Sequence, residues 1–200
     1  CSSDLPNFAF GHRREGSFNL LKEIGEERGF GVIKAHQVQF RGNRVSSTAV
    51  RQALFSGQVG LARRLLGRPF ELEGSVVGGT GLGRRLGIPT ANLKTPNELI
   101  PRRGVYVTEI RVDGRTHRGV TNVGLRPTIA EGADPALGIE THILDFAQDI
   151  YGAEAAVAFL FRLREERKFP GVPELVARIR GDIANARRYF RFLDRIGRPQ

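Results

Sequence analysis

Apolar residues recur with a helical period in the first third of the chain, alternate as in strands through the middle, and return to helical spacing near the end. Phe18, Leu20, Leu21 and Ile24 fall on one face and Gly29 closes the segment, which predicts a helix over 18–28. Val32 to His36 reads as a short strand. At Val45-Ser46-Ser47-Thr48 the hydroxyls stand where they cap free N–H groups, so a helix is expected from there to about Phe55, broken at Ser56-Gly57. A second helix, Val59 to Leu66, ends in Gly67-Arg68-Pro69, a glycine stop followed by proline. A domain boundary is expected at that stop, with 1–67 an α/β segment.

From Phe70 the period becomes two. Phe70, Leu72, Gly74 and Val76 alternate with Glu71, Glu73 and Ser75. Val105 to Val112 and Thr116 to Val123 flank Asp113-Gly114, a tight hairpin turn. Leu137 to Phe146 and Ala155 to Leu163 are further strands, joined by a turn around Asp149 and Gly152. At least five strands with little helix predict a small antiparallel barrel or sandwich. Val172, Leu175, Val176, Ile179, Ile183 and Ala186 then share one face of a helix over 172–192 that packs on the strands, and 193–200 reads as a frayed tail. The fold class is thus α+β.

The candidate chemistry starts in the stretch between the first and second of these strand regions. Gly78 to Asn92 holds five glycines, Arg84, Arg85, Thr90 and Asn92. Glycine lets a backbone approach a ligand closely, and successive N–H groups in such a loop can cradle an anion. No Gly-Lys-Ser/Thr follows, so this is not a Walker loop; no βαβ unit follows either, so a dinucleotide fingerprint is excluded. A nucleotide bound here sits on a β scaffold. Thr90 and Asn92 are two apart, which puts both on one side of an extended segment, and neutral oxygens suit a hard cation such as Mg²⁺. Taken singly, a solvent-facing strand residue and a turn residue fit those two positions as well. Alternation in Ile139-Glu140-Thr141-His142-Ile143 puts Glu140 and His142 together, opposite Ile139 and Ile143. A carboxylate held there near phosphates can take a proton from an attacking hydroxyl; spacing alone favours a solvated strand carboxylate. His142 reads as a surface or packing residue. The charged run from Arg164 to Lys168 ends in Phe169, which either stacks on a planar ligand or belongs to a solvated connector.

Composition narrows the partners. The formal charge of the 200 residues is +10, mostly from arginine, which favours an anionic partner, with phosphate foremost. A basic barrel that binds nucleic acid is the competing reading, weakened by 3 tyrosines and no tryptophan for stacking. The single cysteine, Cys1, excludes an internal disulfide and fits a reducing compartment. No apolar run approaches the ~20 residues of a membrane span and no signal peptide is visible, so a cytoplasmic location without membrane partners is expected. The chain has no methionine, so a processed terminus or a piece of a longer protein is expected.

Together the motifs resemble a known family. Residues 68 to about 188 are similar to the riboflavin kinase module. The resemblance rests on Gly81 to Asn92, Gly104-Val-Tyr106, Asn122-Val-Gly124-Leu-Arg126-Pro127-Thr128, Glu140 to Phe146, Ile150-Tyr151-Gly152 and Leu163 to Phe169. Residues 8–67 are similar to the end of the FMN adenylyltransferase module, through Phe8-Ala-Phe10-Gly11 with Arg13, Arg14 and Gly16, and through Val45 to Arg51. Asn7 stands where that module usually has an acidic residue. The chain therefore resembles the bifunctional riboflavin kinase/FAD synthetase family.

The resemblance implies a six-stranded antiparallel Greek-key barrel with a C-terminal helix over 68–192, preceded by the partial end of an α/β nucleotidyltransferase domain. It implies transfer of the ATP γ-phosphate to the ribityl hydroxyl of riboflavin, giving FMN. Mg-ATP would lie against Gly79, Gly81, Gly83, Arg84, Arg85, Gly87, Pro89, Thr90 and Asn92, with Thr90 and Asn92 on the metal. Glu140 would be the base, facing the nucleotide across the site. Arg126, Arg164, Lys168 and Phe169 would lie near the flavin. Ser46, Ser47, Thr48 and Arg51 would belong to a partial adenylyltransferase nucleotide site, with adenylyl transfer in the full-length protein only. Neither nucleic acid nor membrane is an implied partner, and a non-catalytic flavin-binding fragment is the alternative to the enzyme.

Overall fold

The computed structural model describes residues 2–4, 9–34, 38–126 and 136–197. Asn7, Phe8, residues 35–37, Pro127, Thr128 and residues 198–200 lie outside them. The chain divides into two compact units, Cys1–Ser46 and Ser47–Gln200.

In the first unit, strands β1 (Ser2–Asp4) and β2 (Val32–Lys34) pair in parallel, with helix α1 (Phe18–Arg28) between them in sequence. Parallel neighbours need such a crossover, so this is α/β architecture as expected. The Ser17 hydroxyl accepts from the Leu20 N–H at 3.3 Å, and Gly29 ends α1 in the left-handed region at φ 75°. β3 (Gln39–Phe40) and β4 (Asn43–Arg44) form a small antiparallel pair.

The second unit opens with helices α2 (Ser47–Phe55) and α3 (Val59–Leu66). Strand β5 (Phe70–Val77) and the single-turn helix α4 (Leu82–Arg85) follow. Next come β6 (Ala91–Lys94), β7 (Gly104–Val112), β8 (Arg115–Arg126), β9 (Ala136–Ile143) and β10 (Glu154–Arg164), and helix α5 (Val172–Ile196) ends the unit. The strands close into an antiparallel barrel in the order β10-β5-β6-β9-β8-β7. Three hairpin-connected strands with a fourth returning beside the first is the Greek key; here β7, β8 and β9 are the three and β10 pairs with β7. β6, too short to show alternation, is the strand that spacing alone did not predict. The expected turn at Asp113-Gly114 joins β7 to β8 with both residues at positive φ, 49° and 73°.

Leu72, Val76, Tyr106, Ile110, Val123, Ile139, Ile143, Val157 and Phe159 fill the barrel. Three threonines share that interior without cost, because their hydroxyls satisfy one another: Thr108 to Thr121 at 2.7 Å and Thr121 to Thr141 at 2.8 Å. Val50, Leu54, Val59 and Ala62 of α2 and α3 belong to the same core. The glycine-proline stop after Leu66 is therefore a connection inside one compact unit, which begins at Ser47.

Helix α5 covers the outside of the barrel over Val105, Val107, Val120, Leu144 and Leu160. Its buried stripe is Asp182, Ala186 and Phe190, one residue per turn, whereas Val172 at the start of the expected face is 51% exposed. The stripe runs through an aspartate because Arg164 of β10 donates to both Asp182 oxygens, at 3.1 and 2.9 Å from Nε and 2.7 Å from its terminal nitrogen, while Arg178 adds a second cation at 3.3 Å. The helix also runs past residue 192 to Ile196, so the expected tail is helical as far as that residue. Leu193 packs on the outer cluster, and Arg118 holds Asp194 with two hydrogen bonds of 3.0 and 2.5 Å.

A third clamp pairs Arg187 with Asp145 at 2.8 and 2.7 Å, which holds the Asp145 carboxyl below its ordinary pKa. The folded state then binds this proton less readily than the unfolded chain. The stabilisation is present above about pH 4 and lost as pH falls through the depressed value. Asp145→Asn is expected to melt below the wild type at neutral pH, with the gap closing below about pH 4. Thermal melts at both pH values check this, and an undiminished gap in acid would overturn it.

Candidate active site

The glycine-rich stretch is the connection from β5 to β6, with α4 inside it. The buried Ile88 anchors it to the unit, and the Ile88 N–H donates to the Gly83 carbonyl at 2.8 Å. His142 ties down its far end: the ring Nδ1 lies 2.8 Å from the Pro89 carbonyl oxygen, where Nδ1–H donates. The role that spacing left to His142 as a packing residue is thus a tether between β9 and the loop.

Beyond that tether the chain enters β6. Ala91 and Leu93 face the core, so Thr90 and Asn92 turn the other way, as the two-residue spacing predicts. Asn92 is 5% exposed. A Cβ on Gly79 would collide with the Asn92 side-chain amide, so Gly79 is the bare surface against which that side chain is set. One on Gly83 would collide with the Ile88 carbonyl oxygen and lie 3.2 Å from the Thr90 Oγ1. Gly81 and Gly87 turn the loop at φ 70° and 72°. Arg84 and Arg85 are exposed on α4, with Arg85 donating to the Thr80 carbonyl at 3.1 Å.

Strand register brings the rest together. Asn92 pairs with Glu140, and Glu140 pairs with Asn122 of β8. Directly opposed residues on neighbouring strands hold their Cβ atoms about 5 Å apart. Asn92, Glu140 and Asn122 thus form a row on the outer face, opposite the inward Ile139, Thr141 and Ile143. Glu140 stands beside Asn92 on the adjacent strand, because β9 pairs directly with β6. Next to Thr90 opens a cleft of about 380 Å³, lined among others by Val76, Arg84, Thr141, Phe146 and Tyr151. Phe146 and Tyr151 come from the β9–β10 connection, where the Tyr151 N–H donates to Asp149 at 3.0 Å.

The flavin-side expectations fare differently. Arg164 is only 14% exposed in its side chain; two of its nitrogens are on Asp182 and the third donates to the Glu165 carbonyl at 2.9 Å. These contacts tie it to α5. Phe169 is half-buried beneath the guanidinium groups of Arg167 and Arg164, at 4.8 and 5.8 Å from its centroid. Lys168 is exposed. Arg126 ends β8 and its side chain lies outside the described atoms. Ser47 and Thr48 are exposed in the first turn of α2, Arg51 is exposed one turn on, and Ser46 immediately precedes the helix. Spacing also passed over Asn122 and the Phe146–Tyr151 wall.

Comparison with known proteins follows the same residues. A family model described as riboflavin kinase matches residues 66–190. The chain belongs to the riboflavin kinase family. A second model, FAD synthetase, matches residues 6–49. The chain is 44% identical over 181 residues to a bifunctional riboflavin kinase/FMN adenylyltransferase from Pseudomonas fluorescens, covering 90% of this chain and 58% of that protein. It is 43% identical over 185 residues to the enzyme of that name from Escherichia coli K12, covering 92% and 58%. A solved structure titled macrolide-efflux protein from Streptococcus pneumoniae superposes with a TM-score of 0.78 at 34% identity, over 92% of this chain and 58% of that one. This riboflavin kinase family member thus spans 58% of the length of the curated relatives it matches. Among the described residues no helix is long and apolar enough to cross a membrane, and no three His, Cys, Asp or Glu side chains cluster as metal ligands.

Proposed function

We propose that this chain transfers the ATP γ-phosphate to a ribityl hydroxyl of riboflavin, giving FMN and ADP, and that it does so in the cytoplasm, where ATP is supplied. The observation that carries the reading is the row Asn92–Glu140–Asn122 on neighbouring strands, with Thr90, two residues before Asn92, lining the cleft. The nucleotide base and ribose take the cleft, which falls within the roughly 300–1,000 Å³ of small-molecule sites. The phosphates run past the glycine-rich loop towards Asn92, with Arg84 at the cleft wall. The donor set at Thr90 and Asn92, neutral oxygens with one carboxylate next door, fits Mg²⁺ with phosphates and water completing its shell. When bound, that ion neutralises charge on the phosphate oxygens.

The residues of the chain then do the rest. Glu140 accepts the proton of the acceptor hydroxyl as its oxygen bonds to the γ-phosphorus and the bond from that phosphorus to the β–γ bridging oxygen breaks, leaving ADP. The cleft and the loop hold donor and acceptor in line, the part of catalysis that phosphoryl transfer needs most. The test is ATP-dependent conversion of riboflavin to FMN by the purified chain, followed by chromatography with fluorescence detection. Riboflavin binding without FMN would select a non-catalytic flavin-binding protein. Salt-dependent binding to single-stranded oligonucleotides without flavin binding would select the nucleic-acid reading.

Adenylyl transfer, the second activity in the relatives' names, is proposed only for a chain carrying the whole of that module, with Ser46, Ser47, Thr48 and Arg51 as its part of the nucleotide site.

Gly79→Ala probes the loop. Its Cβ must push the Asn92 amide aside, a shift the fold tolerates because a side-chain end yields. The KM for ATP and the Mg²⁺ concentration at half-maximal rate are expected to rise about tenfold, the worth of one lost contact of ~1.4 kcal/mol. The KM for riboflavin should stay within about twofold; an unchanged ATP KM overturns the assignment of Asn92.

A further inference from the structure

The row that holds Glu140 continues beyond it, and what stands at its far end has no role in the reaction as derived above. Asn122 follows Glu140 on β8, and Gly124 lies two residues on, on the same outward face. A Cβ on Gly124 would strike the Glu166 carboxylate and lie 2.8 Å from the Asn122 amide nitrogen. Glu166 therefore fills the notch that a missing side chain leaves beside Asn122. It reaches there from the segment between β10 and α5, and its neighbours define its direction. Arg164 is locked on Asp182. Glu165 turns away to Arg102 at 3.0 Å and Arg162 at 3.8 Å. Phe169 is covered by Arg164 and Arg167. With Glu165 and Arg164 both tied down, Glu166 is the carboxylate of this segment delivered to the site face.

Glu140 consequently has two different flanks. On one side stand Asn92 and Thr90, the phosphate side. On the other stand Asn122 and Glu166, a hydrogen-bonding amide and an anion; the anion repels phosphate, and the pair suits a neutral ligand rich in hydroxyl donors. We propose that Glu166 is a positioning residue for the acceptor: it accepts a hydrogen bond from a hydroxyl of the polyol neighbouring the one that reacts, and it orients the Asn122 amide towards the same chain. This rests on the kinase reading above. A ligand held at both Glu166 and Glu140 presents its terminal hydroxyl to the base and its remaining hydroxyls to the β8 edge, so the flank also favours polyol acceptors over simple alcohols.

The experiment compares wild type, Glu166→Gln and Glu166→Ala in the full 200-residue chain. It reads the KM for riboflavin and for ATP, kcat, melting temperature, and riboflavin affinity from quenching of flavin fluorescence. Glu166→Ala is expected to raise the riboflavin KM and dissociation constant about tenfold or more, the loss expected of one charge-assisted hydrogen bond, while the ATP KM and melting temperature hold. Glu166→Gln keeps an acceptor oxygen and is expected to fall between the two. In a double-mutant cycle with Asn122→Ala, the losses should be less than additive. Riboflavin affinity within twofold of wild type, or a parallel rise in the ATP KM, overturns the proposal. If wild type binds riboflavin but makes no FMN, the kinase reading fails while the binding titrations still decide the role of Glu166. If it does neither, both fall.

Discussion

Glu140→Ala is expected to lower kcat for FMN formation by about 10²–10⁴-fold, the usual contribution of a positioned general base. The KM for ATP should change little, because the proposed nucleotide contacts lie on the loop and in the cleft rather than on β9's outward carboxylate. Glu140→Gln should be nearly as slow, since an amide keeps the shape but cannot take the proton. Neither change should unfold the protein: the side chain sits on the outer face of the barrel, and substitutions away from the core usually alter stability within about 0.5 kcal/mol. Steady-state kinetics with chromatographic detection of FMN, alongside thermal melts, separate the two effects. Turnover within threefold of wild type would remove Glu140 from the mechanism while leaving the family assignment intact.

Asp182→Ala is expected to be the most damaging single change to stability. Asp182 is 1% exposed and is the shared counter-ion of Arg164 and Arg178. Removing one partner of a buried ion pair typically costs about 3–5 kcal/mol, because the remaining charge stays desolvated without compensation. That is a large fraction of the roughly 5–15 kcal/mol that stabilises a domain. Because Arg164 is the residue from which the Glu165–Phe169 segment departs, the same change should also raise the riboflavin KM. Urea unfolding measures the first effect. Pairing Asp182→Ala with Arg164→Met should recover part of the loss, since no buried guanidinium is then left behind at that position. A cost below about 1 kcal/mol for Asp182→Ala would mean that α5 docks through its apolar contacts alone.

How far such features could be read in advance depended on how local their cause was. The hairpin at Asp113-Gly114 was legible because positive φ at two adjacent positions is a local demand. The outward turn of Thr90 and Asn92 followed from period two. The fate of Arg164 was not legible, because its partner Asp182 is 18 residues away on another element. The face of α5 was legible in part: Ile183 and Ala186 pack on the barrel as apolar spacing predicts, whereas the burial of Asp182 was not, because it takes a tertiary cation to hold an aspartate inside. The neighbourhood of Asn92 and Glu140 depends on the pairing of β6 with β9, which a crossing connection creates and no spacing announces.

The glycine-rich loop, the switch from helical to strand alternation at Phe70 and the basic charge were all determined by residue type and order, since each acts within a few positions of itself. From those alone came a β scaffold and a candidate phosphate-binding stretch, to which the family resemblance added a candidate base. Register, a property of strands distant in sequence, decided the rest. It set Glu140 beside Asn92, put Asn122 on its other flank, and gave Glu166 the notch over Gly124, so that the candidate base stands between Asn92 and Asn122.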